Sequence, residues 1–478
     1  MSNRKTRSAR AGSLLGLAAM SALVGVALAP TLAFAQSSRS KDKARTTTPA
    51  DQATTPDNTN QPSSSLKRPE PTFGPYIEPY GERDWILNVT IRINSELGGE
   101  STDLQDASGK HARVPKITPF PIKSVTMVWP IVPMSGTSMC DPESVTGEVA
   151  FQDRLQTRDV SIMKSLFHSG VKLAHWDVTL NEIANVREVD FNVTIPARAW
   201  NTRFDEEHAL LVPWPKGAWP TDAALTFGSQ AFVDLAPTNG KPDEYNKVVL
   251  RKFLDAALKN ERIDNIKDVS VTLVAKAITK AVWEQIQPSG ISTINRRGQT
   301  RELSGVFMNG PSHTILTERG TSEDITVLMA ALFREAGIPT RTVIGWEFGT
   351  SRDRRYGKSS EGLRSWVEYC LYDEAANTVN WIPVDVVSLR GSSSRPMSID
   401  KPWKKYFGSH DELQDVVPFA FQYYPPTDVV SYGSAAFWGW YVQPKFPGTA
   451  IQALRFSGGR APNYGDERDD KPKSKSDN

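Results

Sequence analysis

Residues 320–341 read GTSEDITVLMAALFREAGIPTR and say more about the fold than any other stretch of the 478-residue chain. Thr321 or Ser322, just before two acidic residues and an apolar run, is a typical helix N-cap, because its hydroxyl can accept a hydrogen bond from a free backbone amide of the first turn. Glu323 and Asp324 fall in that turn, where negative charge stabilises the helix dipole. The stretch therefore predicts an apolar helix that begins at about Ser322 and ends near the Gly-Ile-Pro sequence.

Two shorter motifs follow this helix. Residues 364–368 read RSWVE and residues 381–385 read WIPVD. We predict three strands in this region, at 340–347, 364–373 and 379–385. Residues 373–379 are expected to form the hairpin loop between the last two. A helix followed by strands, without regular alternation, indicates an α+β fold.

In this order, the three motifs resemble those of the transglutaminase-like superfamily. In that family a cysteine opens the helix, a His-x-Trp-x-Glu strand follows, and a Trp-x-Pro-x-Asp strand comes last. The resemblance covers about residues 270–390. It implies an α+β, transglutaminase-like (papain-like) core, here preceded by an antiparallel β-sandwich domain.

The resemblance places Ser322, Arg364 and Asp385 at the three positions of the catalytic triad. In the family, a thiolate attacks an acyl group, a histidine serves as base and acid, and a carboxylate orients the histidine. Arginine cannot act as a general base because its guanidinium stays protonated, and a serine hydroxyl without a base is a poor nucleophile. We therefore predict an inactive site in which Arg364 forms an ion pair with Asp385.

The same motifs supply Trp366, Glu368 and Trp381 as candidate binding residues of a retained groove. The alternative for Trp366 and Glu368 is a role in folding, with the tryptophan as a packed wall and the glutamate as a partner on the strand face. Both interpretations stay open at the level of sequence.

Two other residues are candidates to substitute for the missing catalytic groups. His313 lies nine residues before Ser322, in a segment predicted to be a loop. Cys370 shares a strand with Arg364, but six residues along a strand span about 20 Å. The spacing of the remaining histidines suggests no metal site, and no acidic loop has the spacing of a calcium site. We expect neither a metal nor another cofactor.

The N-terminus is typical of a Sec-type signal peptide over residues 1–35, with a basic start, an apolar run and an Ala-Phe-Ala cleavage site. The alternative is an uncleaved anchor helix. The signal predicts a secreted or periplasmic protein that begins at Gln36. Residues 36–72 and 458–478 are poor in apolar side chains, so we predict a disordered linker and a disordered tail.

Between these ends, the sequence predicts two domains. Residues 73–240 alternate apolar and polar side chains, as at 87–93 and 189–195, which is typical of half-buried antiparallel strands. Residues 245–457 carry the transglutaminase-like motifs and end in an aromatic-rich extension that we expect to pack against the core. Cys140 and Cys370 could pair, but two free buried thiols are the expectation.

The balance of 56 Lys+Arg against 54 Asp+Glu gives no indication of the concentrated basic face that a nucleic-acid partner would require. The leading hypothesis is an exported pseudoenzyme that binds a peptide, a glycan or an envelope partner. The alternative is an active amide-cleaving or acyl-transfer hydrolase that uses Ser322. A third hypothesis is a structural envelope protein without a ligand.

Overall fold

The computed structural model describes residues 73–461, apart from 106–110, 118, 152–153, 158–160, 165–170, 236–240, 296–301, 350–361, 396, 424–437 and 445–448. The predicted signal peptide (1–35), the predicted linker (36–72) and residues 462–478 of the predicted tail lie outside the described residues. All described residues belong to one compact unit, Lys67–Asn478.

The first part of the chain is built from strands: β1 (Ile77–Gln105), β2 (His111–Ile117), β3 (Phe120–Ile131), β4 (Ser138–Met139), β5 (Thr146–Phe151), β6 (Arg154–Thr157), β7 (Ser161–Lys164), β8 (Lys172–Val186) and β9 (Glu188–Phe204). The later strands are β10 (Gln287–Pro288), β11 (Thr293–Asn295), β12 (Glu302–Val306), β13 (Arg319–Gly320), β14 (Thr340–Glu347), β15 (Gly362–Asp373), β16 (Thr378–Val384), β17 (Val416–Ala420), β18 (Gly439–Gln443) and β19 (Thr449–Arg460). The α-helices are α1 (Glu206–Ala209), α2 (Thr221–Ala224), α3 (Glu244–Asn260), α4 (Val271–Gln285), α5 (Pro311–Thr317), α6 (Ser322–Glu335) and α7 (Val386–Ser392).

Two antiparallel sheets contain the N-terminal strands. The larger sheet has the strand order β11-β12-β19-β1-β9-β5-β6, with β2 also beside β1 and β4 beside β9. The smaller sheet has the order β18-β3-β8-β7. Trp129 of β3 contacts Phe456 of β19, with ring centroids 6.4 Å apart, so the two sheets share an apolar interior. The expected antiparallel sandwich is present.

The alternating sequence explains the centre of this sandwich. The apolar side chains at 87, 89, 91 and 93 are buried, whereas those between them are half-buried. In the register of β1 with β9, Val89 lies opposite Val193 and Ile91 lies opposite Phe191. Alternate side chains of a strand point to opposite faces, so one face of this pair is buried. On the other face, Thr90 donates to Asn192 at 2.7 Å.

A third antiparallel sheet, with the order β16-β15-β14-β17, forms the second half of the unit together with the helices. Its strands β14, β15 and β16 match the three strands predicted from the motifs. Helix α6 lies against this sheet, and all residues from Glu323 to Phe333 are buried. After its acidic first turn, α6 is mostly apolar on all sides, as expected of a helix inside a core.

The aromatic residues after 387 pack in two places, not in the one that we expected. Phe407 contacts Tyr369 of β15, with centroids 5.9 Å apart, as predicted. Trp440, however, lies on β18 opposite Met127 of β3, within the sandwich. Strand β19 pairs with β1 along twelve residues and continues to Arg460, three residues into the predicted tail. The extension therefore completes both sandwich sheets as well as covering the core.

A buried ion pair ties α4 to the segment that joins the sandwich to the core. The ammonium of Lys276 is fully buried and contacts the carboxylate of Glu206 in α1. It also donates to the carbonyls of Ile399 at 2.6 Å and Lys401 at 2.9 Å. A buried charge of this kind is tolerated only when it is paired and hydrogen-bonded, and here three acceptors surround it.

Within the described residues, no helix has both the length and the apolar character required to cross a membrane.

Candidate functional site

The start of α6 is fixed by Thr321, whose hydroxyl accepts from the backbone amide of Asp324 at 3.1 Å. In return, a carboxylate oxygen of Asp324 accepts from the Thr321 amide at 3.2 Å. This reciprocal arrangement is a capping box, which satisfies two backbone amides at once. The other Asp324 oxygen accepts from the amide of Asn309 at 2.7 Å. Of the two cap candidates from the sequence, Thr321 is therefore the N-cap.

Ser322 is the first residue of α6, and it is exposed. Its backbone carbonyl accepts from the hydroxyl of Thr326 at 2.8 Å. Thr326 also lies 3.0 Å from the hydroxyl of Ser365, the neighbour of Arg364. These contacts place the start of α6 beside β15, and the hydroxyl of Ser322 has no hydrogen-bond partner among the described residues.

Arg364 is held by three carboxylates. Its Nη2 lies 3.1 Å from Asp385, and its Nη1 lies 3.2 Å from Glu347 and 3.3 Å from Glu412. The ion pair that the sequence predicted is therefore present, with two further acids. Burial alone would lower the pKa of the Arg364 guanidinium, but the charges of Asp385, Glu347 and Glu412 outweigh it and raise the pKa above its ordinary value. Arg364 stays fully charged and cannot accept a proton.

Asp385 is occupied on both of its oxygens. It caps helix α7 through Oδ1, which accepts from the amide of Ser388 at 2.9 Å. Its Oδ2 accepts from the hydroxyl of Ser388 at 2.7 Å and from the guanidinium of Arg364. The carboxylate is 4% exposed. It thus serves a helix cap and an ion pair, both of which are structural functions.

Glu347 differs from the other acids around Arg364. Burial raises its pKa, the charge of Arg364 lowers it, and the neighbouring carboxylates of Glu412 and Asp385 raise it again. The net shift is upward. The one guanidinium is therefore shared among more carboxylates than it can fully compensate.

Neither candidate substitute is hydrogen-bonded to Ser322 in the described part of the chain. His313 lies in helix α5, not in a loop as predicted, and its side chain is exposed. No hydrogen bond links it to Ser322 within the described part of the chain. Cys370 is buried on β15, and burial raises the pKa of its thiol to about 12, so it does not form a thiolate near neutral pH. Cys140 is likewise free and buried.

The structure also brings together residues that the sequence analysis did not connect with this site. Glu347 is the last residue of β14, and Glu412 lies in the segment after Tyr406. No local sequence pattern identified either residue as part of this site. His410 is buried behind the Trp-x-Pro-x-Asp strand, where its Nε2 lies 3.2 Å from the carbonyl of Pro383. Ser388, three residues after Asp385, fits an N-cap pattern and was the one residue that local spacing could have identified.

Of the three predicted binding residues, Trp366 and Glu368 lie in the interior of the core, and Trp381 is half-buried. Trp366 is 1% exposed and Glu368 is 0% exposed, so in this conformation neither can contact a ligand. Arg341 donates twice to Glu368, at 2.9 and 2.7 Å. Its guanidinium lies between the rings of Trp381 and Phe421, at 4.1 and 4.2 Å. Trp366 and Glu368 therefore pack in the core of this structure, and their assignment as binding residues stays a prediction.

Glu368 also connects the sandwich to the core. The second oxygen of Glu368 accepts from the amide of Gly136, in the loop before β4, at 2.9 Å. A Cβ at Gly136 would lie 2.5 Å from the carbonyl oxygen of Trp381. Only glycine lets the loop approach this closely.

No group of three or more His, Cys, Asp or Glu side chains that could hold a metal ion occurs among the described residues.

The N-cap assignment predicts different costs for two neighbouring substitutions. Thr321→Ala is expected to lower the free energy of unfolding by about 1–2 kcal/mol, because it removes the cap. Ser322→Ala is expected to change it by less than about 0.5 kcal/mol, since the hydroxyl is exposed and unbonded. Urea denaturation of both variants measures this difference. Equal losses would show that Ser322 contributes to the structure.

His410 predicts a specific pH dependence of stability. Burial lowers its pKa from 6.5 to about 4, so the unfolded chain binds a proton that the folded chain does not bind between these values. The contribution of His410 to the free energy of unfolding is fully present above pH 6.5. It decreases by at most about 3 kcal/mol as the pH falls towards 4. Urea denaturation between pH 7 and 4 should show a shallower loss in His410→Gln, in which the amide can still donate to Pro383. Parallel curves for the two proteins would contradict the prediction.

Comparison with known proteins agrees with the motifs. Residues 274–386 match the sequence profile of the transglutaminase-like superfamily. A solved structure of a candidate cysteine protease from Cytophaga hutchinsonii is similar at 12% identity, covering 81% of this chain and 93% of that chain, with a TM-score of 0.43. A candidate protease from Parabacteroides distasonis is similar at 9% identity, covering 66% and 60%, with a TM-score of 0.20. A search of curated proteins found no sequence match.

Proposed function

Because residues 274–386 form a transglutaminase-like domain, we propose that the protein is an exported pseudoenzyme, which binds a partner at the former catalytic site without cleaving it. The partner would be a peptide, a glycan or another protein of the cell envelope. The observation that carries the proposal is the ion pair of Arg364 with Asp385, at 3.1 Å. It occupies the two positions that would otherwise supply the base and its orienting carboxylate.

Acyl transfer in this family needs a nucleophile whose proton is taken up by a base. At the histidine position, the guanidinium of Arg364 has no lone pair to accept a proton. Asp385 is engaged by Arg364 and by Ser388. Ser322 thus has a free hydroxyl but no described side chain to activate it. The helix dipole at the start of α6 could stabilise an anion, but it cannot remove the proton.

The second candidate function is amide cleavage or acyl transfer by Ser322. It is favoured by one observation, the exposure of Ser322 at the start of α6. Such a reaction would need a base that approaches only when substrate is bound. His313 is exposed on α5 and is the nearest histidine in sequence.

A covalent probe distinguishes these two functions. Purified protein from Gln36 onward is treated with a fluorophosphonate, and adducts are mapped by mass spectrometry, with Ser322→Ala as the matched control. We expect no adduct at residue 322. An adduct that disappears in Ser322→Ala would overturn the pseudoenzyme proposal.

A double variant tests whether residues 322 and 364 still have the relative geometry of the family's cysteine and histidine. Ser322→Cys combined with Arg364→His supplies the two missing family residues, and its reaction with iodoacetamide is compared with that of Ser322→Cys alone. We expect faster alkylation in the double variant, because a neighbouring histidine favours the thiolate. Equal rates would mean that residues 322 and 364 no longer lie in the family's geometry.

Export is the remaining part of the proposal, and it is supported by the pattern of residues 1–35. N-terminal sequencing of the protein isolated from the cell envelope or the medium should begin at Gln36. An intact N-terminus at Met1 in the membrane fraction would favour the anchor-helix alternative.

A further inference from the structure

A cavity of about 530 Å³ lies far from Ser322, where the sandwich meets the opposite end of β15. Arg364 and Asp373 are nine residues apart on β15, which corresponds to about 30 Å. The cavity is bordered by the start of β1, the segment after β9 and the end of β15. Its volume falls within the range of about 300–1,000 Å³ that is usual for small-molecule sites.

A carboxylate that accepts a hydrogen bond from a tyrosine hydroxyl lines one side of the cavity. The hydroxyl of Tyr76 donates to Asp373 Oδ2 at 2.6 Å. The amides of Ala375 and Ala376 donate to Asp373 Oδ1 at 3.0 and 3.1 Å. The hydrogen bond from Tyr76 and those from the two amides lower the pKa of Asp373 below its ordinary value. This carboxylate is therefore anionic at neutral pH.

A second carboxylate lines the cavity beside an imidazole. Asp205 Oδ1 accepts from the amide of His208 at 3.2 Å, and Asp205 Oδ2 lies 2.6 Å from His208 Nδ1. Partial burial would raise the pKa of Asp205, but the hydrogen bonds from His208 outweigh it and lower the pKa. Asp205 and Asp373 thus place two negative charges on one cavity.

The rest of the lining is apolar and consists of Pro75, Leu211, Val212 and Pro213. Leu211 is 78% exposed, although it is a large aliphatic side chain. An apolar lining with a few oriented polar groups is usual for small-molecule sites.

We propose that this cavity binds an alkylammonium group, with the aliphatic chain against Leu211 and Val212 and the cation between Asp205 and Asp373. A lysine side chain and a free aliphatic amine share this chemistry. The proposal does not depend on the proposed function of the Ser322 site, and no covalent step is involved.

The test is a calorimetric titration of the protein from Gln36 onward with pentylamine, pentanol and pentanoate. These probes share an aliphatic chain and differ in charge. We expect pentylamine to bind at least about tenfold more tightly than pentanol, with an affinity that falls as salt is added. Pentanoate should not bind. Equal binding of pentylamine and pentanol, or no binding of pentylamine at millimolar concentration, would overturn the proposal.

Substitutions of lining residues test whether pentylamine binds in this cavity. Asp205→Asn and Asp373→Asn keep one of the two acceptor oxygens and remove the charge, and each should weaken pentylamine binding about threefold to tenfold. Asp264→Asn, at an exposed aspartate that does not line the cavity, is the control and should bind like the unmodified protein. Leu211→Ser should weaken pentylamine and pentanol alike. Unchanged pentylamine binding in both carboxylate variants would refute the assignment.

The two sources of the ammonium group are separated by one further probe. Nα-acetyl-lysine-N-methylamide carries the same cation on a peptide unit. Tighter binding of this probe than of pentylamine would indicate a lysine of a peptide or protein. Weaker binding would indicate a free amine.

Discussion

Methionine in place of Arg341 is expected to lower the free energy of unfolding by about 3–5 kcal/mol, the largest effect of any single change predicted for this protein. The arginine is 5% exposed and its partner, Glu368, is 0% exposed. Removing the guanidinium leaves a buried carboxylate without a counter-ion, and such a charge is costly in an apolar interior. It also removes the cation from between the rings of Trp381 and Phe421. Urea denaturation at pH 7 measures the loss.

A double substitution shows how much of that cost comes from the stranded charge. Arg341→Met with Glu368→Leu removes both charges, and we expect it to be more stable than Arg341→Met alone. Recovery should be incomplete, because the amide of Gly136 then loses its acceptor. A double variant as unstable as the sum of the two single variants would mean that the pair itself contributes little.

Methionine in place of Arg364 is expected to cost about 2–4 kcal/mol at pH 7. The substitution leaves Asp385, which is almost fully buried, and Glu347 without the cation that they share. Glu412→Gln serves as the matched control. This partner is half-exposed, so its loss should cost less than about 1 kcal/mol.

The pH dependence of stability in the Arg364→Met variant distinguishes an unpaired charge from lost packing as the cause of its destabilisation. Without Arg364, the charge that lowers the pKa of Glu347 is lost, so this carboxyl group takes up a proton in the folded state more readily as the pH falls. The stability deficit relative to the unmodified protein should therefore be largest at neutral pH and should shrink on acidification. A deficit that is constant with pH would show that lost packing, and not the unpaired charge, is responsible.

The local elements of this fold could be predicted from the sequence. Alternating side chains marked β1 and β9, and the three motif strands fell at β14, β15 and β16. The start of α6 was visible because a hydroxyl before two acids satisfies free amides within four residues. The order of the motifs placed Ser322, Arg364 and Asp385 at one site and predicted the Arg364–Asp385 ion pair. Each of these features depends on neighbours in sequence or on a motif with known order.

The contacts between residues and strands far apart in the sequence could be identified only from the tertiary structure. Glu412 reaches Arg364 across 48 residues, and β19 pairs with β1 from the other end of the chain. The burial of Trp366 and Glu368, the placement of His410 and the cavity between Asp205 and Asp373 also depend on how distant elements pack. The physical reason is that caps and side-chain periodicity are satisfied within a few residues. The partner of a buried charge or an unpaired strand edge, in contrast, is selected by the packing of the whole core.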